Sequence, residues 1–268
     1  MSDIDQHGPV VVGIDGSRAG VHAATWAIDE AIDRDVPLHL VHATRIAVTT
    51  KSFVDDYQID KEYAETALRE AAAAVQATEK AVKVECFIRH GLASDALADE
   101  SRGASLMCVG SEGIGRVASA FFGSTATDVA IRAHCPVAIV HRPELSVDKR
   151  PKWIAMPVNG PHDADEVIEA AMNEARIRDL PVLAVGTWQE DVADSPHDEL
   201  DRTVDGLRER HPDVRMYPVA TRADIGRFLN ECDEPVSLAV IGPADVPHVI
   251  HMRPSPERGE RTILIVRH

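Results

Sequence analysis

From Gly16 to Pro37 the chain reads G-S-R-A-G-V-H-A-A-T-W-A-I-D-E-A-I-D-R-D-V-P, and from Gly160 to Pro181 it reads G-P-H-D-A-D-E-V-I-E-A-A-M-N-E-A-R-I-R-D-L-P. Gly16 falls against Gly160, Arg34 against Arg178, Asp35 against Asp179 and Pro37 against Pro181, without a gap and at a constant offset of 144. The tails correspond as well. P-V-A-I-V-H-R-P from Pro136 resembles R-T-I-L-I-V-R-H from Arg261, but there Val140 pairs with Val266 and the offset has fallen to 126. The second copy is shorter by that difference. A repeat of this length marks two tandem domains, placed at residues 1–146 and 147–268.

Outward from the quoted stretch, each copy alternates strand and helix. Val10–Ile14 is an apolar run ended by Asp15-Gly16-Ser17, which predicts a buried strand and a turn. Ala23, Trp26, Ala27, Ala31 and Ile32 keep helical spacing up to the break at Asp35-Val36-Pro37. Leu38–Ala43 reads as a second strand, an alanine-rich helix is expected near 60–78, and Lys83–Ile88 alternates as a third strand. A short helix over Ser94–Ser101, an apolar strand at Ser105–Val109, a helix from about Thr125 to Arg132 and a last strand at Val137–Val140 complete the copy. Apolar strands separated by amphipathic helices imply parallel sheets covered on both faces. The expected class is α/β, two tandem doubly wound (Rossmann-like) domains, with chemistry in the loops after the carboxyl ends of the first, second and fourth strands. The last strands, Val137–Val140 and Ile263–Val266, are apolar candidates for pairing within the chain as a pseudo-dimer or between chains as a homodimer.

The chain has 268 residues, 44% of them hydrophobic, and a net charge of −16. That field repels phosphate backbones and anionic lipid heads, so neither nucleic acid nor membrane is an expected partner. Any anion must be held by local geometry. Cys86, Cys108, Cys135 and Cys232 form no C-x-x-C pair, and Cys108 and Cys135 lie in apolar runs, which points to inert core thiols. The acidic start M-S-D-I-D-Q-H-G has no apolar segment of signal length, and no run approaches a membrane span. A cytoplasmic location is expected.

After the fourth strand comes Gly110-Ser111-Glu112-Gly113-Ile114-Gly115-Arg116-Val-Ala-Ser-Ala-Phe-Phe-Gly123-Ser124-Thr125, a spacing of G-x2-G-x9-G-S. Glycines let the backbone approach a ligand closely, successive N–H groups in such turns form anion-binding concavities, and the start of the following helix favours phosphate. A hydrogen bond to a charged oxygen contributes about 1.5–3 kcal/mol, so several can hold a polyphosphate. Turn formation alone is the competing reading of these glycines. Gly113-Ile-Gly115-Arg-Val-Ala118 also fits the dinucleotide fingerprint, but that motif belongs after the first strand. The phosphate loop of nucleotide hydrolases needs G-K-[ST], and no lysine lies between Lys83 and Lys149.

A first strand ending V-G-I-D-G-S together with G-x2-G-x9-G-S resembles the universal stress protein family in its tandem-domain form. The resemblance covers both halves, with the nucleotide motif only in the first. It implies that Gly13, Ile14, Asp15 and Gly16 at the end of strand one help hold ATP. It also implies that Val41, His42 and Ala43 meet the adenine, and that Gly110, Ser111, Gly113, Gly115, Arg116, Gly123, Ser124 and Thr125 carry ribose and phosphates. Physically, a carboxylate at Asp15 is tolerable there only on a ribose hydroxyl or ligand N–H, or against Mg²⁺ brought by the phosphates; otherwise Asp15 is a plain turn residue. Arg116 either reaches the phosphates or points to water.

In the second copy the carboxylate is replaced by Asn159, before Gly160, and the fourth strand is followed by Gly242-Pro243, whose proline removes an N–H. The site is lost there. His248 and His251 make an H-x2-H pair without a third ligand, which favours a solvated loop over a metal. The acidic run Glu190, Asp191, Asp194, Asp198, Glu199 and Asp201, with Asp205 just beyond, reads as a solvated loop and helix start. No Walker lysine and no loop glutamine or histidine is placed to activate water. The expected function is therefore an ATP-binding regulatory, stress-response protein and not an efficient enzyme, slow hydrolysis aside. The rivals are an interaction scaffold with a vestigial site and an ATP-dependent ligase, which would carry an S-G-G-x-D-S-like loop after strand one.

Overall fold

The computed structural model describes residues 8–44, 54–113, 122–141, 152–158, 164–187, 196–250 and 261–267. These fall into two compact units, 8–141 and 152–267. In the first, strands β1 (Val10–Gly13), β2 (Leu38–Thr44), β3 (Val84–His90), β4 (Leu106–Gly110) and β5 (Val137–Val140) alternate with helices α1 (Arg18–Asp33), α2 (Val54–Gln76), α3 (Ala93–Glu100) and α4 (Ser124–Arg132). In the second, β6 (Trp153–Pro157), β7 (Val182–Thr187), β8 (Met216–Thr221), β9 (Val236–Ile241) and β10 (Thr262–Ile265) alternate with α5 (Ala164–Arg178), α6 (Pro196–Arg210), α7 (Ile225–Glu231) and α8 (Val246–Ile250). The strand orders are β3-β2-β1-β4-β5 and β8-β7-β6-β9-β10, and the pairings within each are parallel. Both orders reverse direction after the first strand of the copy, as a doubly wound sheet requires. No helix among the described residues is long and apolar enough to cross a membrane.

Register makes the repeat quantitative. Val10 opposes Leu38 and Ile154 opposes Val182, both shifted by 144. At the third strand the shift is already 132, since Leu38 opposes Val84 and Val182 opposes Met216. It stays at 132 for the fourth strand, where Val10 opposes Leu106 and Ile154 opposes Leu238. At the fifth it is 126, from the pairs Met107–Val137 and Ala239–Ile263. Two thirds of the shortening of the second copy therefore falls between the second and third strands, and the remaining third between the fourth and fifth.

The first helix of each copy is finished by the same device. Asp35 and Asp179 take the left-handed conformation (φ 53° and 50°), and Val36 N donates to Ala31 O just as Leu180 N donates to Ala175 O (3.0 and 3.1 Å). This is the closing pair of a Schellman motif with aspartate where glycine is usual. One turn earlier, Glu30 and Glu174 are 0% and 1% exposed. Arg34 Nη1 donates to Glu30 Oε2 at 2.6 Å and Arg178 Nε to Glu174 Oε2 at 2.7 Å. A buried carboxylate is tolerable only with such a partner. The helix face above it is small and apolar: Ala23, Ala24, Ala27, Ile28 and Ala31 pack fully against the sheet.

Candidate functional site

Strand β1 delivers its carboxyl end to a tightly cross-braced turn. Ile14 N donates to Val41 O (2.8 Å), which ties the turn to β2. Asp15 Oδ1 accepts from Ser17 N (2.9 Å), and Ser17 Oγ in turn accepts from Gly20 N (3.1 Å), so an aspartate turn leads straight into the cap of α1. The Ser17 hydroxyl donates to Glu112 O (3.4 Å) beyond β4, and the Tyr63 hydroxyl of α2 donates to Asp15 O (2.9 Å). Gly16 sits at φ 87°, and any Cβ there would strike the Tyr63 hydroxyl. Strand β2, helices α1 and α2 and the segment after β4 thus all brace the turn that carries Asp15.

The end of β4 lies beside it. Ser111 is buried; its N–H donates to Val140 O (2.9 Å) and its carbonyl accepts from Gly123 N (2.8 Å). The second of these bonds brings the start of α4 back to the end of the strand that precedes it. A Cβ on Gly113 would lie 3.0 Å from Asp15 Oδ2, so the second oxygen of the aspartate faces the glycine backbone. Gly123 caps α4 in extended conformation without any side-chain bond. Among the described residues the N–H groups of Ser124, Thr125 and Ala126 have no acceptor. Where α1 is closed by its own serine, α4 presents open donors at the positive end of its dipole.

The glycines expected to face a ligand divide by what surrounds them. A Cβ on Gly13 would meet Leu97 Cδ1 at 2.8 Å, and one on Gly110 would meet the Ala19 backbone carbon at 2.8 Å and Gly20 N at 2.9 Å. These two, with Gly16, make room for neighbouring protein. Gly113 makes room for a carboxylate, and of these five only Gly123 has described neighbours at no less than ordinary van der Waals contact, Gly113 N and Ser111 O at 3.7 Å. Gly115 and Arg116 lie outside the described residues.

On β2, Val41 is buried with its carbonyl used by Ile14, and Ala43 is half-buried. His42 is 7% exposed, its ring set edge-on to Tyr63 with centroids 5.8 Å apart, and its Nδ1 is buried without a hydrogen-bond partner. Burial lowers the His42 pKa, against the pull of the Ile14 backbone and of the Asp15 and Asp60 carboxylates. Burial, reinforced by the Asp15 charge, raises that of the Tyr63 phenol. Ser17 and Tyr63 are not among the residues that sequence singles out. The Ser-x-x-Gly capping position is a local signal for Ser17. Nothing local marks Tyr63, which is 48 residues from the turn it closes.

The corresponding corner of the second unit is a single turn. After β9, Gly242 caps a 3-10 turn, Pro243–Asp245, that runs directly into α8. Proline and an acidic side chain stand where an anion would need donors. His248 lies within α8 and not in the loop expected from sequence, because the shorter connection brings that helix forward. Its Nδ1 is 3.7 Å from Asp224 Oδ2. His251, Asn159 and Gly160 lie outside the described residues.

The sequence profile of the universal stress protein family matches residues 7–141. Over 263 residues the chain is 42% identical to a universal stress protein of Mycobacterium tuberculosis, covering 96% of each. A second from that organism is 36% identical over 245 residues, covering 90% of this chain and 87% of the relative. Among solved structures, a universal stress protein from Archaeoglobus fulgidus superposes with a TM-score of 0.73 at 14% identity, covering 99% of this chain and 98% of that one, which is a likeness of fold alone. With the profile on the first unit and these relatives spanning both, the chain belongs to the universal stress protein family, in its tandem-domain form.

Proposed function

We propose that the first unit binds ATP, its phosphates held by the open N-terminus of α4 and the glycine-rich stretch before it, and that the protein acts as a cytoplasmic stress-response regulator. The observation that carries this reading is the uncapped start of α4 at Gly123-Ser124-Thr125, drawn by Ser111 to the end of β4 beside Asp15. Backbone donors and two hydroxyls suit a polyphosphate, which a chain of net charge −16 would otherwise repel. The residues fit the group. Asp15 Oδ2 suits a ribose hydroxyl or Mg²⁺ carried on the phosphates, while Asp15 Oδ1 and the Asp15 carbonyl keep their structural bonds to Ser17 and Tyr63. Arg116 and Gly115 complete the loop in this proposal. The proposed role is binding, without efficient turnover, since the loop carries no Walker lysine and no glutamine or histidine to orient water. Melting with Mg-ATP tests it. At about 100 times Kd the ligand adds about 2.7 kcal/mol, and Gly123→Val, which puts a branched side chain against Gly113 N and Ser111 O at the helix start, is expected to remove the gain. No shift for the wild type at millimolar Mg-ATP would leave the scaffold reading instead.

A further inference from the structure

The two units differ at their outer sheet edges as well as at their ligand corners. Strand β3 ends one sheet order and β8 ends the other. Leu38 N donates to Lys83 O, and Gly91 N donates to Thr44 O (2.8 and 2.9 Å). In a parallel pair the backbone groups of alternate residues face alternate sides, so Lys83, Glu85, Phe87, Arg89 and Gly91 face β2 while Val84, Cys86, Ile88 and His90 turn theirs outward. The same reasoning applies to β8, where Val182 N donates to Arg215 O, and Met216, Pro218 and Ala220 turn outward. Pro218 is the register equivalent of Cys86, at the same offset of 132 that holds for the whole strand. One edge carries a proline at its central outward position, a device that blocks strand addition. The other carries an exposed cysteine with its N–H intact.

We propose that β3, the edge strand of its unit among the described residues, pairs antiparallel with β3 of a second copy of this chain, about a two-fold axis at Phe87. Only some registers let outward groups meet outward groups, and a centre at Phe87 is one of them. It makes Cys86 with Ile88, and Val84 with His90, the hydrogen-bonded pairs. The same register sets Glu85 opposite Arg89 in the closely spaced positions, twice by symmetry, with Phe87 against Phe87 between them. Both charged side chains are already held in place, Glu85 by Lys83 (2.6 Å) and Arg89 by Glu100 (2.5 Å), with the Arg89 guanidinium 4.9 Å from the Phe87 ring centre. Opposite charges in directly facing positions favour a register and like charges oppose it. A strand that reads Glu-x-Phe-x-Arg across its own two-fold axis is self-complementary. This pairing is independent of the nucleotide site.

Sedimentation of the full chain tests it. The wild type is expected to dimerise reversibly at high-micromolar concentration, and Cys86→Pro, which copies the edge of β8, is expected to be monomeric with an unchanged melting temperature. Should that variant fail to fold, Glu85→Arg and Arg89→Glu decide the matter. Each alone is expected to weaken association more than about tenfold, and an equimolar mixture to restore it, because in the mixed dimer every guanidinium at these positions faces a carboxylate of the other copy. Register is read by oxidation. In a Cys86→Ser background, Phe87→Cys is expected to form a disulfide-linked dimer, since closely spaced Cα atoms about 4.5 Å apart fall within disulfide reach. Glu85→Cys in that background is expected not to. A monomer at every concentration, or cross-linking through position 85 and not 87, overturns the proposal.

Discussion

The β4–α4 corner of the first unit and the β9–α8 corner of the second start from the same register and arrive at opposite solutions. In the first, a long excursion returns to its strand through Ser111 and leaves a helix start without a cap. In the second, the connection is shorter and Pro243–Asp245 closes the gap as one turn. The sheet beneath is unchanged, with Val109 opposite Ile139 and Ile241 opposite Ile265. On the proposed function, binding capacity in this architecture is a property of one connection, and the core beneath is the same with it or without it.

Changes in what the units share should cost both alike. Arg34→Ala and Arg178→Ala each take the guanidinium from a carboxylate buried at the first helix, so each is expected to destabilise its unit by about 3 kcal/mol. Thermal unfolding of the two variants measures this; a large cost in one unit and none in the other would show that the twin pairs do different work. Changes in what the units do not share should separate them. Gly110→Ala places a Cβ against the Ala19 backbone, whereas Gly242→Ala meets only Val167 Cγ2 at 3.5 Å in an extended backbone (φ −85°, ψ 170°). The first is expected to cost about 1–3 kcal/mol by overpacking, and the second to leave the melting temperature where it was.

The smallest effect is a matter of pH. His42 has Gly186 as its register equivalent, with Leu200 filling the space a side chain would take. The His42 pKa is lowered from 6.5 in the folded state, so the unfolded chain takes up the proton first. The associated stability is present above pH 6.5 and lost as pH falls through that value toward the folded pKa. His39, also lowered chiefly by burial, acts in the same direction. Melting temperatures of wild type and His42→Phe between about pH 7.5 and 5.5, on either side of the unfolded value, check this. The variant should lose less on acidification. An equal slope in both would assign the dependence elsewhere.

The strands, their parallel order and the shortening of the second copy are legible in the sequence because periodicity and a fixed offset report backbone geometry directly. The corner itself is legible only in part. Gly13, Gly16 and Gly110 have the right spacing for a ligand loop, yet a missing Cβ does not declare which neighbour it accommodates; here the neighbours are Leu97, Tyr63 and the first turn of α1. Sequence leaves Asp15 as either ligand or turn; the structure gives Oδ1 the turn bond to Ser17 N and sets Oδ2 toward Gly113. The twin Glu-Arg pairs are visible in the aligned stretches at helical spacing, but burial of a carboxylate is not written in spacing. Tyr63 is beyond the reach of local pattern, since its contact joins elements far apart in the chain.

The preserved strand registers have a consequence for how such chains change over time. Net length has changed where the backbone leaves the sheet, in two crossovers and unequally, and the strands have kept their seats apart from a one-residue irregularity where β6 meets β9 at Trp153. A duplicated gene with this layout can try out crossover lengths in one half while the other goes on serving, because neither half's strands have to be re-threaded to accept the trial.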